Sequence, residues 1–249
     1  MKHADFAALV RNTIGDLVQK PGDLLFSHPS TIQSGSLYLL GTNPGGESSI
    51  SIAAKLNELA ARRPGWSAYN TGSPFGVDWC PRIWRRYQNG VTGMLRVLAI
   101  ENATTPDKVC ASNLVFVRTR KGTDLHGLSK DTPHNTWLGL ADACWKLHEE
   151  ILRCVRPKAL IAYGCDLSKP SAYRYFANQA VRTLEDSPKF SAKNYVCRAL
   201  EFRLFDQPIV VVGIPHFSRV QVHRFPDAIR WMRAILKRYG APVGAEPSA

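Results

Sequence analysis

Ser36-Leu-Tyr-Leu-Leu-Gly41 is a short, uninterrupted apolar run closed by glycine, and the turn Thr42-Asn-Pro-Gly-Gly46 follows it directly. Residues 48–63, beyond the turn, are rich in Ala and Leu. An apolar run of this length bounded by turn residues reads as a buried strand, so the stretch spells strand, loop, helix. The alternation returns downstream: residues 109–117 read as a strand, 136–155 as a long helix and 159–163 as a strand. Trp137, Leu140, Cys144, Leu147 and Ile151 give the helix its spacing, and Pro157 separates it from the strand that follows. Upstream, Phe6, Leu9, Val10, Ile14, Leu17 and Val18 trace a helix closed by Pro21-Gly22. A further helix is expected over residues 170–184. The alternating Tyr195, Cys197, Leu200, Phe202 and Leu204 predict a strand at an edge or in a hairpin. Ile209-Val-Val-Val-Gly213 is the most β-branched run in the chain, and residues 225–239 form an amphipathic helix bearing Arg230, Arg233, Lys237 and Arg238. This pattern predicts an α/β fold with a central parallel sheet. With no internal repeat or dividing linker, residues 1–240 read as one domain and 241–249 as a flexible tail.

The chain has 249 residues, 45% hydrophobic and 21% charged, a composition that supports a packed core and excludes a disordered chain. Lys and Arg number 32 against 20 Asp and Glu, a formal charge of +12 that points to a polyanionic partner. No apolar run approaches the roughly 18 residues of a membrane span, and Asp5 and Asp16 interrupt the apolar pattern of the N-terminus. Neither membrane insertion nor secretion is expected. Cys80, Cys110, Cys144, Cys154, Cys165 and Cys197 form no Cys-x-x-Cys pair, so reduced, mostly buried thiols in a cytoplasmic protein are expected.

Ligands of open α/β sheets sit at the carboxyl ends of the strands, which directs attention to the residues after Leu40, Ala111, Tyr163 and Gly213. A Gly-rich turn opening a helix can hold an anion on its free N–H groups. The turn after Gly41, however, lacks both the Gly-Lys-Ser/Thr ending of a P-loop and the spacing of a dinucleotide fingerprint, which excludes a nucleotide-triphosphatase reading. Gly213-Ile-Pro-His-Phe-Ser-Arg219 sets an imidazole and a hydroxyl on the last of these loops. No Gly-x-Ser-x-Gly elbow accompanies Ser218, so a serine hydrolase is not supported.

Gly41-Thr-Asn-Pro-Gly45 resembles the Gly-x-Asn-Pro-Gly motif of the mismatch-specific and single-strand-selective branches of the uracil-DNA glycosylase superfamily. His216-Phe-Ser-Arg219 is similar to the superfamily's His-Pro-Ser-Pro loop, which follows its last strand. Ala111-Ser-Asn-Leu-Val115 resembles the strand end that carries the base-recognising Asn, and Thr71-Gly-Ser-Pro-Phe-Gly76 the Thr-Gly-x-Pro-Phe-Gly segment of the single-strand-selective branch. Phe217 stands where the family has Pro, and the interval from Gly46 to Thr71 is longer than the resemblance implies. The iron–sulfur branches carry cysteines ahead of the first motif, whereas the first here is Cys80, so no cluster is expected. His28-Pro-Ser30 copies the second motif in letters but precedes the first strand, and is set aside.

The resemblance implies a single-domain, three-layer α/β/α sandwich around a central, mostly parallel four-stranded sheet. It also implies a monofunctional DNA glycosylase without metal or cofactor that leaves an abasic site, and nothing in the sequence suggests more than a monomer. Asn43 would orient the attacking water and His216 would stabilise the departing base. Asn113 would read the Watson–Crick edge of a flipped base, and Thr42 and Gly45 would line its pocket. Phe75 is the first choice for the stacking face, with Trp66, Tyr69 and Trp79 as competitors. The uracil-restricted branch has Tyr where Gly45 stands, so glycine leaves room for a C5 substituent. The candidate substrates are accordingly uracil and C5-modified pyrimidines such as hydroxymethylcytosine derivatives of phage DNA, removed in base-excision repair or in antiviral defence. Arg85, Arg86, Arg118, Ser218 and Arg219 would contact DNA. The wedge that fills the gap left by the flipped base would be Val220 or Arg219, with Val220 favoured by register. Glu47 reads as a first-turn carboxylate favoured by the helix dipole. No lysine occupies a motif position suited to Schiff-base chemistry. The other reading is a non-catalytic nucleic-acid-binding module on the same fold.

Overall fold

The computed structural model describes residues 3–46, 48–71, 81–120, 124–130 and 132–240. Its strands are β1 (Leu37–Gly41), β2 (Cys110–Asn113), β3 (Ala159–Tyr163), β4 (Arg182–Asp186), β5 (Arg198–Leu204) and β6 (Gln207–Ile214). β1 is buried along its whole length, as an unbroken apolar run must be when both faces of a strand are covered. The strands form one six-stranded sheet in the order β2-β1-β3-β6-β5-β4. The first four are parallel, and β5 and β4 continue the sheet in antiparallel fashion.

The sheet is thus mixed and six-stranded rather than four-stranded. The four strands read from continuous apolar runs are the parallel ones. The helix expected over residues 170–184 stops early: α7 (Ala172–Ala177) is followed by β4, whose side chains are mostly exposed. β4 has no apolar face to announce it. Pairing with β5 holds it, along with ion pairs from Arg182 to Glu201 and from Arg198 to Asp186 across the ladder. The run at residues 109–117 is buried throughout, yet its ladder ends at Asn113.

The remaining helices are α1 (His3–Ile14), α2 (Ile52–Ala60), α3 (Ala68–Thr71), α4 (Pro81–Leu98), α5 (Leu125–Lys130), α6 (Trp137–Val155) and α8 (Pro226–Tyr239). Successive strand residues point to opposite faces, and the core divides accordingly. Tyr38, Leu40, Leu160, Ala162 and Val211 pack with side chains of α1, α6 and α7, whereas Leu37, Leu39, Ile161, Val210 and Val212 pack with α4 and α8. Thr136 caps α6 by accepting from the Gly139 N–H, and Arg156 ends it in the left-handed region at φ 46° before Pro157. Among the described residues no helix is long and apolar enough to cross a membrane, and the five described cysteines are free thiols, of which Cys110, Cys144 and Cys197 are buried. The tail, residues 241–249, lies outside the described residues.

Parallel strands carry their carboxyl ends to one edge, and the register aligns Gly41 with Asn113 and Tyr163 with Ile214 there. The loops after β1 and β6, which bear Asn43 and His216, leave from that edge. In the core on the α1, α6 and α7 face of the sheet, Phe176 is fully buried, with ring centroids 5.3 Å from Trp145 and 5.1 Å from Phe202. Phe176→Ala is expected to lower unfolding stability by about 3–5 kcal/mol, read from the denaturant midpoint at unchanged slope.

Candidate functional site

Gly41 ends β1 against two side chains. A Cβ there would lie 2.1 Å from Asn113 Oδ1 and 2.6 Å from the Tyr163 ring, so only glycine lets the three strand ends converge. The pairing continues past the strands, because Leu114 N donates to Gly41 O and Val115 N to Thr42 O. Within the turn that follows, Asn43 Nδ2 donates to Pro44 O at 2.9 Å and to Thr119 Oγ1 at 2.7 Å. A backbone carbonyl can only accept, which fixes the amide with nitrogen inward and leaves Oδ1 as its outward, accepting end. Thr42 is half-buried, and its Oγ1 accepts from Ala172 N at the start of α7. The Gly45 carbonyl accepts from Arg118, whose guanidinium also pairs with buried Asp23. Burial pushes the Asp23 carboxyl up, and Arg118 offsets part of that rise. Gly46 follows at φ +87°, a conformation suited to glycine.

Asn113 is buried, and its Nδ2 has no hydrogen-bond partner among the described residues. A buried amide donor without a partner costs about 1–3 kcal/mol and is uncommon in folded proteins, so an acceptor brought to this group would relieve that cost. Its backbone is fixed from behind by His148 of α6, whose Nε2 donates to Asn113 O at 2.9 Å. The Nδ1 of that ring must then accept from the Tyr38 hydroxyl at 2.8 Å. Complete burial pulls the His148 imidazole down to about 4, so it is neutral.

The loop after β6 docks on α4 through two glycines. A Cβ on Gly90 would lie 2.5 Å from the Phe217 ring, and one on Gly93 would lie 2.7 Å from the His223 ring. Phe217, where the resemblance expects Pro, is therefore a plug seated on a helix groove. Between these contacts the Tyr87 hydroxyl stands 2.5 Å from His216 Nε2, and Ser218 Oγ stands 2.7 Å from Nδ1. The same His-x-Ser geometry recurs at His28 and Ser30, 2.8 Å apart, so it is a local consequence of that spacing. His216 is half-buried, and desolvation, helped by Arg219, pulls its imidazole down to about 4. A ring of this kind is a neutral hydrogen-bond donor at pH 7. Tyr163 links the two halves of the site, with its ring centroid 6.5 Å from that of His216 and its hydroxyl 2.7 Å from that of Tyr69.

Several expected roles change. Val220 is buried and so cannot enter a duplex as a wedge, and Arg118, also buried and committed to Asp23 and Gly45, is not set to meet a phosphate. Ser218 is engaged with His216. Tyr69 is buried between Phe26 and Trp84, with centroids at 6.0 and 5.7 Å, and offers no free face to a base. Trp66 is half-buried under the Arg62 guanidinium. Arg85, Arg86 and Arg219 are exposed beside the His216 loop, and Gln221 ties that loop to Arg86 O. Glu47, Phe75 and Trp79 lie outside the described residues. Sequence reasoning missed Tyr87, Thr119, His148 and Tyr163 as parts of the site. Of these, His148 was signalled by its position on the apolar stripe of α6, where a polar residue needs a partner.

Among the described residues no group of three or more His, Cys, Asp or Glu side chains could hold a metal ion. A cavity of about 530 Å³ lies at the opposite edge, against Arg153, Arg156, Phe205 and Ile209, and none of Asn43, Asn113 and His216 lines it. No protein-family model matches the chain, and no curated protein matches it.

His148 and His216 are neutral in the fold and protonate more readily once unfolded. Stability is therefore full above about pH 6.5, the ordinary value, and falls as pH drops toward about 4. Urea midpoints measured across that window should decline with acidification, and His148→Gln should flatten the decline while lowering stability at pH 7.

Proposed function

We propose that the protein is a monofunctional DNA glycosylase of the uracil-DNA glycosylase superfamily type, hydrolysing the N-glycosidic bond of a flipped pyrimidine. The observation that carries the reading is the buried Nδ2 of Asn113, without a hydrogen-bond partner among the described residues, which an acceptor on a base edge would complete. Cleavage builds positive charge on the sugar and negative charge on the leaving base, so a weak nucleophile in position is sufficient. Asn43 has its NH₂ tied to Pro44 O and Thr119, and its free Oδ1 can accept from a water and aim it at the anomeric carbon. The C–N bond breaks with its electron pair going to the base, and the water oxygen bonds to that carbon, its surplus proton leaving to solvent. His216, neutral because it is desolvated, donates to the base oxygen where charge gathers and gives up its contact with the Tyr87 hydroxyl to do so. Arg85, Arg86 and Arg219 supply phosphate contacts. Gly45 favours a pocket open at C5, so uracil and C5-modified pyrimidines are the candidate substrates, in repair or in antiviral defence. The protein acts as a cytoplasmic monomer without metal or cofactor.

The test is incubation with oligonucleotides carrying uracil, 5-hydroxymethyluracil, hydroxymethylcytosine or glucosylated hydroxymethylcytosine, followed by assay of abasic sites and released base. Wild type should form abasic sites on at least one substrate. Asn43→Ala and His216→Ala should each be slower by about 10²–10³, the range for losing one such stabilising group, with DNA affinity retained. No product on any substrate, with tight DNA binding by all three proteins, would instead favour the binding module that the basic rim also supports.

A further inference from the structure

We infer that the cavity between the end of α6 and the β5–β6 hairpin binds a small organic anion with an apolar body. Its volume, about 530 Å³, is in the range of small-molecule sites. Leu152, Leu204, Phe205 and Ile209 give it apolar walls and Arg153 and Arg156 give it two cations, while among the described residues no carboxylate lines it. The Arg153 guanidinium lies over the Phe205 ring, 4.3 Å from its centroid, and Glu150, one turn back on the exposed face of α6, stands 3.5 Å from its Nε. Arg156 Nε donates to Arg153 O at 3.2 Å. That bond holds the guanidinium through one nitrogen and leaves its two terminal nitrogens to meet an anion.

Two walls of the cavity turn through the left-handed region on residues other than glycine. Arg156 sits at φ 46° where α6 ends. Phe205 and Asp206, at φ 49° and 62°, are the two central residues of the hairpin turn between the paired Leu204 and Gln207. Glycine is preferred where a helix ends in this way, and Asn or Gly in a two-residue hairpin turn with both φ positive. Asp is tolerated there, but a side chain as bulky as phenylalanine is strained. The helix dipole favours a cation in the last turn, which Arg153 already supplies without occupying the left-handed position. Phe205 is 37% exposed, so burial in the core does not account for it either. A ring and a guanidinium carried at such positions are explained by what they offer the cavity, an apolar surface beside a positive charge.

Fluorescence titration of the full chain with 1-anilinonaphthalene-8-sulfonate should be compared with that of N-phenyl-1-naphthylamine, the same ring system without the sulfonate, for wild type, Arg156→Gly and Phe205→Gly. Wild type should bind the sulfonate about tenfold or more tightly than the neutral probe, the worth of one charge-assisted contact. Each substitution should weaken sulfonate binding by about 10- to 100-fold, one by removing the charge and the other the ring. Both glycines relieve a left-handed residue, so the urea midpoints of the two variants should equal or exceed that of wild type. Competition by 1-naphthoate or by decanoate then tells an aromatic body from an aliphatic one, with inorganic phosphate as the anion that has no body at all. Sulfonate binding that is absent in wild type, matched by the neutral probe, unchanged in both variants, displaced by neither organic anion or displaced equally by phosphate would overturn the assignment. Lowered midpoints in both variants would overturn it too, because Arg156 and Phe205 would then be supports of the fold.

Discussion

A methyl group on residue 41 would sit 2.1 Å from the Asn113 carboxamide oxygen and 2.7 Å from the Tyr163 hydroxyl, separations that no relaxation of three paired strands can accommodate. Glycine at the end of β1 is therefore the condition on which the site depends. It brings the side chains of β2 and β3 over the end of β1, and it allows the Asn43 turn to stay zipped to residues 114 and 115. The loop after β6 meets the same group through the packing of Tyr163 against His216. Each functional loop is anchored to a strand end by backbone hydrogen bonds, so its side chains are preorganised rather than left to search.

Glycine acts a second time on α4, where the absence of side chains at Gly90 and Gly93 makes sockets for Phe217 and His223. An i, i+3 pair lies on one face of a helix, so the two sockets seat two points of a single loop. Tyr87, three residues before Gly90, reaches His216 from that same face. The exposed Arg82, Arg85 and Arg86 occupy the solvent side of the helix. One helix thus carries the support of the His216 imidazole on one side and a cationic surface on the other.

How much of this could be read in the sequence depends on the range of the interaction. The parallel strands, α6 and α8 were legible because burial on both faces or on one stripe writes itself into apolar spacing. β4 was not, since Arg182, Thr183, Glu185 and Asp186 face solvent and only pairing with β5 makes the segment a strand. α4 was passed over as a basic cluster, although Trp84, Val91, Met94, Leu95 and Leu98 all fall on its buried side. Asn43, Asn113 and His216 could be singled out because each follows or ends an apolar run. The Arg118 pairing with Asp23 could not, because 95 residues separate the partners and nothing local distinguishes Arg118 from its exposed neighbour Arg120. The same holds for His148, whose role is set by a carbonyl 35 residues away.

The chemistry this arrangement supports divides labour among groups that differ in what they can still bond. Asn43 has spent its donors and keeps an acceptor, Asn113 keeps a buried donor, and His216 is a neutral ring whose present partners are hydroxyls that can be exchanged. The proposed reading reserves the Asn113 donor for a base. It is tested most directly by following the Asn113 side-chain amide in ¹⁵N-labelled protein bound to DNA that carries a non-hydrolysable 2′-fluoro pyrimidine nucleotide. If the donor meets a base, this NH₂ moves downfield and becomes protected from solvent exchange. An unchanged Asn113 amide, with backbone signals of Arg85, Arg86 and Arg219 shifted by bound DNA, would contradict it.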